Sequence, residues 1–277
     1  MRHRCVFFGC GDVFSAPFRD ALCRWQVLAG PQETADLAVI ASHGRILSDA
    51  ELQKFDQGVI NMHPSMLPRF RGAAPAEWQI LRGERQGGVT ALLTTSRVDA
   101  GPILAQKAFS LTEDETRDSL LRKAADEGVL LLEKLLLDWK TARQNAVPQN
   151  KDLASSAPKV SRALSVVNWQ EWTPVDVDRR VRALAQRFGG LHTNFGAKSI
   201  RLLPENLRCK EQRTDASMRQ LQPGQIEWRP GTQFLRVGLG ERYEMLISSL
   251  SVAGARSMSA SDFARGYHQK QIETRFT

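Results

Sequence analysis

Asn61 and His63 are the two residues whose types and spacing best suit chemistry on a carbonyl group. They begin the stretch N-M-H-P-S-M-L-P-R-F-R-G-A-A-P. Side chains two positions apart share one face of a strand. A fixed amide can donate to an oxyanion, and histidine is the side chain that changes charge near neutral pH. The pair therefore predicts a site that stabilises negative charge and moves a proton, although the same short pattern also occurs in ordinary turns.

The residues around this pair predict a buried strand that ends in a stiff loop. Val59 and Ile60 are β-branched and apolar, whereas Pro64 does not fit inside a central strand. Two more prolines and a glycine stiffen the loop that follows, and Arg69 and Arg71 place two cations on it. We expect the strand to hold the pair at its end, beside a rigid and basic loop.

The stretch resembles the signature of the folate-dependent formyltransferases, most closely the branch that acts on methionyl-tRNA. The resemblance implies that Asn61 and His63 are catalytic, together with Asp99 in the pattern D-A-G-P-I-L. Viewed alone, Asp99 is ordinary turn chemistry. In the implied reaction, Asn61 stabilises the oxyanion, His63 acts as general acid and base, and Asp99 orients His63. The resemblance further implies 10-formyltetrahydrofolate as the formyl donor, the α-amine of charged initiator Met-tRNA as the acceptor, and no metal.

The resemblance also assigns residues to the two ligands. An apolar segment, Ala35 to Ala41, predicts a buried strand, and ligands of open parallel sheets bind beyond the carboxyl ends of the strands. Without the resemblance, the turn after this segment could equally be a routine connection. The residues that the resemblance places against the folate are Ser42, His43, Gly44, Ile46, Leu47 and Val98. The residues that it places against the tRNA substrate are Ser65, Leu67, Pro68, Arg69 and Arg71.

The first half of the chain predicts an α/β domain of the doubly wound, Rossmann-like type. A strand at Arg4 to Gly9 leads through G-C-G-D into a helix, as in the opening β-turn-α unit of such folds. As a dinucleotide fingerprint this turn is weak, because the third glycine is missing. Between Gln26 and Thr34 there is room for a short strand but not for a helical crossover.

The family pattern has a strand, a basic loop, a helix and another strand in that gap, so we expect a sheet shortened at one edge. Two alternatives follow. Residues 27–29 keep an edge strand and the enzyme is active, or the edge is damaged and the chain is an impaired tRNA-binding variant. A formyltransferase that acts on another amine is a further alternative, although the basic second half argues against a nucleotide-synthesis enzyme.

The second half predicts a separate and basic domain. Short strands punctuated by Gly and Pro are typical of a small barrel, and the resemblance implies an OB-like barrel that holds tRNA. We predict a formyltransferase domain at 1–143, a linker at 144–162 and the OB-like domain at 163–277. Residues 1–150 carry 18 Lys and Arg and 18 Asp and Glu, whereas residues 151–277 carry 20 and 12. The whole net charge of +8 therefore lies in the second half and favours a polyanionic partner.

Composition narrows the classes of protein to which the chain can belong. The 277 residues suggest two domains without a membrane span. The four cysteines lack C-x-x-C spacing, lie mostly among apolar residues, and predict free buried thiols in a reducing compartment rather than a zinc site or a disulfide framework. The motifs H-P-S-M-L-P and G-P-I-L resemble the animal mitochondrial form and imply the mitochondrial matrix. The apolar strand that begins at Cys5 leaves no room for a transit peptide. We expect a monomer.

Overall fold

The computed structural model describes residues 4–29, 34–212, 220–268 and 275–277. The chain divides into two compact units, Met1–Lys159 and Val160–Thr277, which are called unit 1 and unit 2 below. Across the described ranges, no helix has the length and apolar character needed to cross a membrane.

Unit 1 is built on a five-stranded mixed sheet in which the strands follow their order along the chain. The first three strands are parallel, and the last two run antiparallel to their neighbours. The prediction of a doubly wound α/β domain therefore holds in part, since the sheet is not parallel throughout. The strands are β1 (Cys5–Gly9), β2 (Leu37–Ala41), β3 (Gly58–His63), β4 (Gln86–Leu93) and β5 (Ile103–Ser110). The helices are α1 (Ala16–Arg24), α2 (Asp49–Leu52), α3 (Pro75–Leu81), α4 (Arg117–Leu137) and α5 (Trp139–Gln144).

The sheet is covered on both faces at its centre. All five residues of β2 are buried, and successive side chains of a strand point to opposite faces. One face packs Ala38 and Ile40 against Leu47 and Val59, with Phe55 among the half-buried residues around them. The continuous apolar sequence of β2 is what such a doubly covered strand requires. This packing fixes the carboxyl ends of β2 and β3 side by side.

The shortened edge of the sheet keeps a remnant of a strand. Leu28 forms a parallel bridge with Cys5 of β1, through Cys5 N to Val27 O at 2.8 Å and Ala29 N to Cys5 O at 2.8 Å. This matches the alternative in which residues 27–29 keep an edge strand. Residues 30–33, which complete the gap, lie outside the described ranges.

The long helix α4 begins later than the sequence predicts. Thr112 and Glu115 have the spacing of a capping box, which predicts a helix that opens there, but the helix starts at Arg117, and its N-cap is Thr116. The Thr116 side chain accepts from Ser119 N, and Ser119 bonds back to Thr116. Serine thus takes the place usually held by glutamate in this reciprocal cap.

Unit 2 consists of two four-stranded antiparallel sheets, one with the order β8-β11-β10-β9 and one with the order β13-β12-β7-β6. In the described part of the chain they do not close into one barrel, so the expected OB-like barrel is not found as such. The strands are β6 (Leu191–Phe195), β7 (Lys198–Leu202), β8 (Leu207–Glu211), β9 (Ile226–Glu227), β10 (Leu235–Leu239), β11 (Tyr243–Ile247), β12 (Ser249–Val252) and β13 (Ser257–Ser259). The helices are α6 (Pro174–Phe188) and α7 (Ala260–Phe263).

The start of α6 follows the sequence closely. The side chain of Thr173 accepts from Asp176 N, and Pro174 occupies the first helical position. Gly189 ends the helix with φ of 76°, a left-handed conformation that glycine adopts without strain. The core between the sheets is rich in aromatic rings, with Trp169 stacked on Phe276 at 5.6 Å and Phe195 edge-on to Phe263 at 5.2 Å.

Candidate active site

The end of β3 holds Asn61 and His63 between two neighbouring strands. Asn61 is paired with Ile40 of β2 on one side and Leu92 of β4 on the other, and His63 is paired with Thr90. His63 is 5% exposed. A central strand with partners on both sides restricts backbone movement, so both side chains start from fixed positions. This agrees with the strand and the shared face predicted from the sequence.

Asp99 reaches the same place from the loop between β4 and β5. Its Oδ1 accepts a hydrogen bond from Asn61 Nδ2 at 3.1 Å, and its Oδ2 accepts one from Gly72 N at 2.8 Å. The same Oδ2 lies 3.6 Å from His63 Nδ1. The structure thus brings the three residues predicted to be catalytic into one cluster, with the carboxylate at its centre.

The Asp99 backbone adopts a left-handed conformation with φ of 49°. Aspartate tolerates this region better than most residues, because its short polar side chain bonds locally. Two residues on, Gly101 lies so close to β4 that a Cβ there would come 1.7 Å from Leu93 O. Glycine at this position is therefore a requirement of the close backbone approach that lets the loop turn back towards β3.

The protonation of His63 is constrained by its second ring nitrogen. Nε2 lies 2.9 Å from Phe70 O. A carbonyl oxygen can only accept, so Nε2 carries the hydrogen in the neutral ring. Nδ1 is then the atom that can take up and release a proton, and it faces the Asp99 carboxylate. Phe70 O fixes the orientation of the ring, and the Asp99 carboxylate lies next to Nδ1, the nitrogen that exchanges the proton.

The carbonyl group of Phe70 is itself held by a distant segment. Phe70 has φ of 62°, and its N donates to Ser155 Oγ at 2.9 Å. Ser155 also receives a bond from Arg71 N at 2.8 Å and donates from its own N to Pro68 O at 3.2 Å. The left-handed backbone at Phe70 is thus fixed by contacts from both sides. Sequence reasoning missed Phe70 and Ser155, because no local pattern pairs residues 85 positions apart.

Gln149 is a second residue that the sequence did not reveal. Its Nε2 donates to Asp99 O at 2.9 Å and to Gly101 O at 2.8 Å, while its Oε1 accepts from Arg71 Nε at 3.1 Å and Nη2 at 2.6 Å. Both hydrogens of the amide nitrogen are donated, and the amide oxygen accepts two hydrogen bonds. Gln149 lies in the interval interpreted from the sequence as a linker, where a polar residue gives no signal of such contacts.

Most residues assigned to the tRNA substrate form the frame of the loop. Ser65 is fully buried and donates from Oγ to Arg69 O at 2.8 Å. Leu67 is buried, its N donates to Thr90 Oγ1 at 3.1 Å, and it precedes Pro68 in a cis peptide. Arg69 pairs with Glu84 and keeps 49% of its side chain exposed. Among these five residues, Arg69 is the one best placed to meet a ligand, whereas Arg71 is bound to Gln149.

The turn after β2 is tied to the end of β1. Burial would raise the pKa of Asp12, but hydrogen bonds from Ser15, Ser42 and Cys10 outweigh it and hold this pKa below its usual value. Ser42 adopts a left-handed backbone with φ of 51°. Through this contact the turns that follow two adjacent parallel strands are joined at the edge of the sheet where ligands bind in such folds.

His43 and Gly44 form the middle of this turn. The His43 ring packs 5.2 Å from the Phe8 ring, and its Nε2 is buried with no hydrogen-bond partner among the described residues. Burial, and then the nearby Arg45, lower the pKa of His43, so its ring is neutral at pH 7. Gly44 has φ of 78°, and no atom lies within 4 Å of where a Cβ would be.

Three further residues assigned to the folate differ in exposure. Ile46 and Val98 expose 62% and 47% of their surface. Leu47 is 3% exposed and packs in the apolar cluster beneath β2. The structure therefore leaves Ile46 and Val98 open to an apolar ligand, whereas the side chain of Leu47 is in the core.

The described residues contain no group of three or more His, Cys, Asp or Glu that could hold a metal ion. Cys5 is buried, and burial raises the pKa of its thiol to about 12. Cys10 and Cys23 are exposed and Cys209 is half-buried, so the prediction of buried thiols was wrong for Cys10 and Cys23, although all four cysteines are free.

Known proteins are similar to both halves of the chain. Residues 27–136 match the formyl transferase family, and residues 159–268 match the formyl transferase C-terminal domain. The methionyl-tRNA formyltransferase of Myxococcus xanthus is 31% identical over 236 residues, which are 85% of this chain and 72% of that protein. The chain belongs to the methionyl-tRNA formyltransferase family.

One further relative and one solved structure are also similar to this chain. Within the methionyl-tRNA formyltransferase family, the mitochondrial protein of Homo sapiens is 32% identical over 84% of this chain, which spans 59% of that protein's length. A solved structure of HypX from Aquifex aeolicus in complex with tetrahydrofolic acid gives a TM-score of 0.67 at 18% identity, covering 98% of this chain and 48% of HypX. At that identity the likeness to HypX shows the fold alone.

Proposed function

We propose that this member of the methionyl-tRNA formyltransferase family transfers the formyl group of 10-formyltetrahydrofolate to the α-amine of methionyl initiator tRNA. The observation that carries the proposal is the cluster in which Asp99 contacts both Asn61 and His63. The cluster needs no bound metal, because an amide donor and a proton-transferring pair supply the chemistry of acyl transfer.

The turn after β2 fits a folate ring. The face of a ring could cover the exposed apolar side chains of Ile46 and Val98, and each Å² of apolar surface removed from water contributes about 25 cal/mol. The open space at Gly44 would let such a ring approach the backbone. The buried and unpartnered Nε2 of the neutral His43 offers a polar contact to a donor on the ring. The folate would supply the activated formyl group, and Ser42, His43, Gly44, Ile46 and Val98 would position it.

Asn61 is assigned to the negative charge that develops on the formyl oxygen during attack. A side-chain amide has two N–H donors, and Asp99 uses one of them. The second is left to donate to the developing oxyanion. Asp99 also fixes the amide plane, so that donor is aimed before the reaction begins, which is the condition for a large electrostatic contribution.

His63 and Asp99 are assigned to the proton. The attacking amine must be uncharged to react, and a free α-amino group titrates at about 7.7–8.0. As the new bond forms, the nitrogen must lose a proton. Nδ1 of His63 can take it, because Phe70 O occupies the other ring nitrogen, and Asp99 stabilises the resulting imidazolium at 3.6 Å. The same proton can then be given to the departing nitrogen.

The tRNA is assigned to the exposed arginine of the loop and to unit 2. Arg69 would contact phosphate, which positions the substrate but does not read its sequence. We propose that unit 2, with its excess of basic residues, acts as the RNA-holding module expected of an OB-like domain. Bacterial and mitochondrial relatives are equally similar, at 31% and 32% identity. The mitochondrial matrix therefore rests on the resemblance of two short motifs alone.

A formyl-transfer assay tests the proposal. Purified protein would be incubated with radiolabelled formyl donor and either charged initiator Met-tRNA or charged elongator Met-tRNA. We expect label on the initiator tRNA. If neither tRNA is labelled, the proposed function is wrong. Binding of tRNA without label would instead support the impaired tRNA-binding variant, and label on a sugar-nucleotide amine would support a different acceptor.

A further inference from the structure

Unit 2 contains a cavity of about 520 Å³ with a strongly basic lining. Arg162, Arg187 and Arg201 line it together with His192, and its described lining includes no Asp or Glu. Its volume falls within the range of small-ligand pockets. Cations gathered in a concave surface focus their field more than the same charges on a flat face. The cavity is therefore suited to an anion.

The helix α6 is rich in arginine, but two of its arginines are neutralised by carboxylates of the same helix. Arg180 and Arg182 of α6 form ion pairs with Asp176 at 3.3 Å and Asp178 at 2.7 Å, each one turn earlier on the same helix. These pairs neutralise much of the cationic face expected from the arginines of α6. Within the described ranges, by contrast, no ion pair joins Arg162 or Arg201 of the cavity to a carboxylate.

His192 lies close enough to two arginines of the cavity for their charges to act on its ring. The ring is 5% exposed, and burial, followed by the charges of Arg162 and Arg201, lowers its pKa to about 4. Ser165 Oγ donates to Arg162 O at 2.7 Å, so its lone pair accepts from His192 Nδ1–H at 2.9 Å. Nε2, the other ring nitrogen, therefore carries no hydrogen in the neutral ring. Burial disfavours a charge of either sign at this ring, whereas the charges of Arg162 and Arg201 disfavour a further cation and favour an anion.

The rim and the arginines of the cavity indicate which kind of anion it can bind. Ser199, half-buried, offers a hydroxyl group, and the exposed turn at 253–255 forms one rim. Gly254 at the tip has φ of 79° and no atom within 4 Å of where a Cβ would be, so the rim is open. Planar guanidinium groups bind phosphate oxygens in pairs, with geometric as well as electrostatic preference. A phosphate group with an extended attachment fits a basic cavity that is open on one side.

We propose that this cavity binds a phosphate group of the tRNA backbone, with Arg162 and Arg201 as its main ligands. The phosphate chemistry follows from the lining, whereas tRNA as the source of the phosphate rests on the proposed function. The site differs from the catalytic cluster, which lies in unit 1.

The test is the salt dependence of tRNA binding. Dissociation constants for uncharged initiator tRNA would be measured by filter binding between about 50 and 200 mM salt for the natural protein and for R201Q, R162Q, R201K and the control R208Q. Arg208 is an exposed arginine of β8, away from the cavity lining. We expect R201Q and R162Q each to weaken binding and to reduce the slope of log K against log salt by about 1. R201K keeps the charge and should keep the slope, and R208Q should match the natural protein.

Several outcomes would overturn the proposal. Equal losses in R201Q and R208Q would mean that binding depends on diffuse charge and not on the cavity. R201Q could also bind tRNA with unchanged affinity and yet no longer bind inorganic phosphate or a free mononucleotide. That result would assign the cavity to a small phosphate compound. Thermal unfolding of each variant shows whether it is folded, and R162Q carries the test if R201Q is not. Normal formyl transfer with an unaltered slope in R201Q rejects the cavity alone, whereas a reduced slope without any formyl transfer rejects the proposed function alone.

Discussion

Gln149 donates hydrogen bonds from its side-chain amide to the backbone of Asp99, at 2.9 Å from the carbonyl oxygen. The other end of the amide accepts from Arg71. Asp99 has a left-handed backbone, so its carboxylate points at Asn61 and His63 only while the loop is held in this conformation. Gln149 is therefore a positioning residue for the catalytic cluster, although it touches none of the reacting groups.

We predict that Gln149→Glu lowers kcat by about 10²-fold, the size of effect that a misplacement of about 1 Å can produce. The glutamate can still accept from Arg71, but it has no hydrogen to donate to the carbonyl oxygens of Asp99 and Gly101. Because the ligand surfaces are unchanged, KM for the folate and for the tRNA should move much less than kcat. Steady-state kinetics measure this split.

Gln144→Glu provides the matched control, since Gln144 is exposed at the end of α5. It should leave both constants unchanged. Gln149→Asn keeps the amide but shortens it, and partial recovery of kcat relative to Gln149→Glu is expected. If Gln149→Glu raises both KM values and leaves kcat intact, the residue supports ligand binding and not the position of Asp99.

The core of the site could be predicted from the sequence because its signals are local or shared with a family. Asn61 and His63 are two positions apart on a strand whose apolar residues announce its burial. Asp99 was found through its D-x-G pattern, and the structure gives a physical reason for the glycine, since Gly101 lies against Leu93 O. Asn61 and His63 lie at the end of a strand, and Asp99 lies in a loop between two strands. Predicting the strands therefore also predicted where the site lies.

The support of the site could not be predicted in the same way. Ser155 and Gln149 act through single hydrogen bonds to backbone atoms far away in the chain, and such contacts impose no pattern on the sequence around them. The start of α4 was misplaced because Thr112 and Thr116 are each followed, three residues later, by a side chain that can complete a reciprocal cap, and the sequence pattern does not choose between them. In unit 2, strand order and sheet closure depend on pairings between distant strands, which hydrophobic alternation alone does not specify.

We predict that Asp99→Asn lowers formyl transfer by about 10²- to 10⁴-fold, the range of a lost general acid–base contribution. The amide keeps the shape of the side chain but removes the negative charge that faces His63 Nδ1. Asparagine also tolerates the left-handed backbone. Single-turnover rates measure the loss, and binding of tRNA should remain near the natural value.

Asp99→Ala serves as the comparison for stability. It should be less stable than Asp99→Asn by about 1 kcal/mol, because alanine is strained at φ of 49°. A substantial rate of transfer in Asp99→Asn would show that the carboxylate charge is not used. Equal unfolding free energies for the two variants would show that the backbone relaxes.

We predict that Asn61→Ala lowers kcat by about 10²- to 10³-fold, as expected for the loss of one oxyanion donor. The substitution also releases one bond from Asp99, so a double-mutant cycle with Asp99→Asn separates the two effects. Because Asn61 and Asp99 are in direct contact, the double variant should lose less than the product of the single losses. Strictly multiplicative losses would mean that the two side chains act independently.

The last prediction concerns the pH dependence of stability and rests on His192 in unit 2. Its pKa is lowered from the ordinary 6.5 to about 4, by burial and then by Arg162 and Arg201. As the pH falls below 6.5, the unfolded chain binds a proton on this ring that the folded chain does not bind, so the free energy of unfolding decreases until the pH is near 4. The total loss from this group is about 3 kcal/mol, and it is absent above pH 7.

His192→Asn removes the titrating ring but keeps a donor near Ser165 Oγ, so the variant should lose about 3 kcal/mol less than the natural protein between pH 7 and pH 4. Urea unfolding in phosphate-free buffer at the two pH values measures this difference, and parallel losses in both proteins would show that His192 is not held neutral in the folded chain.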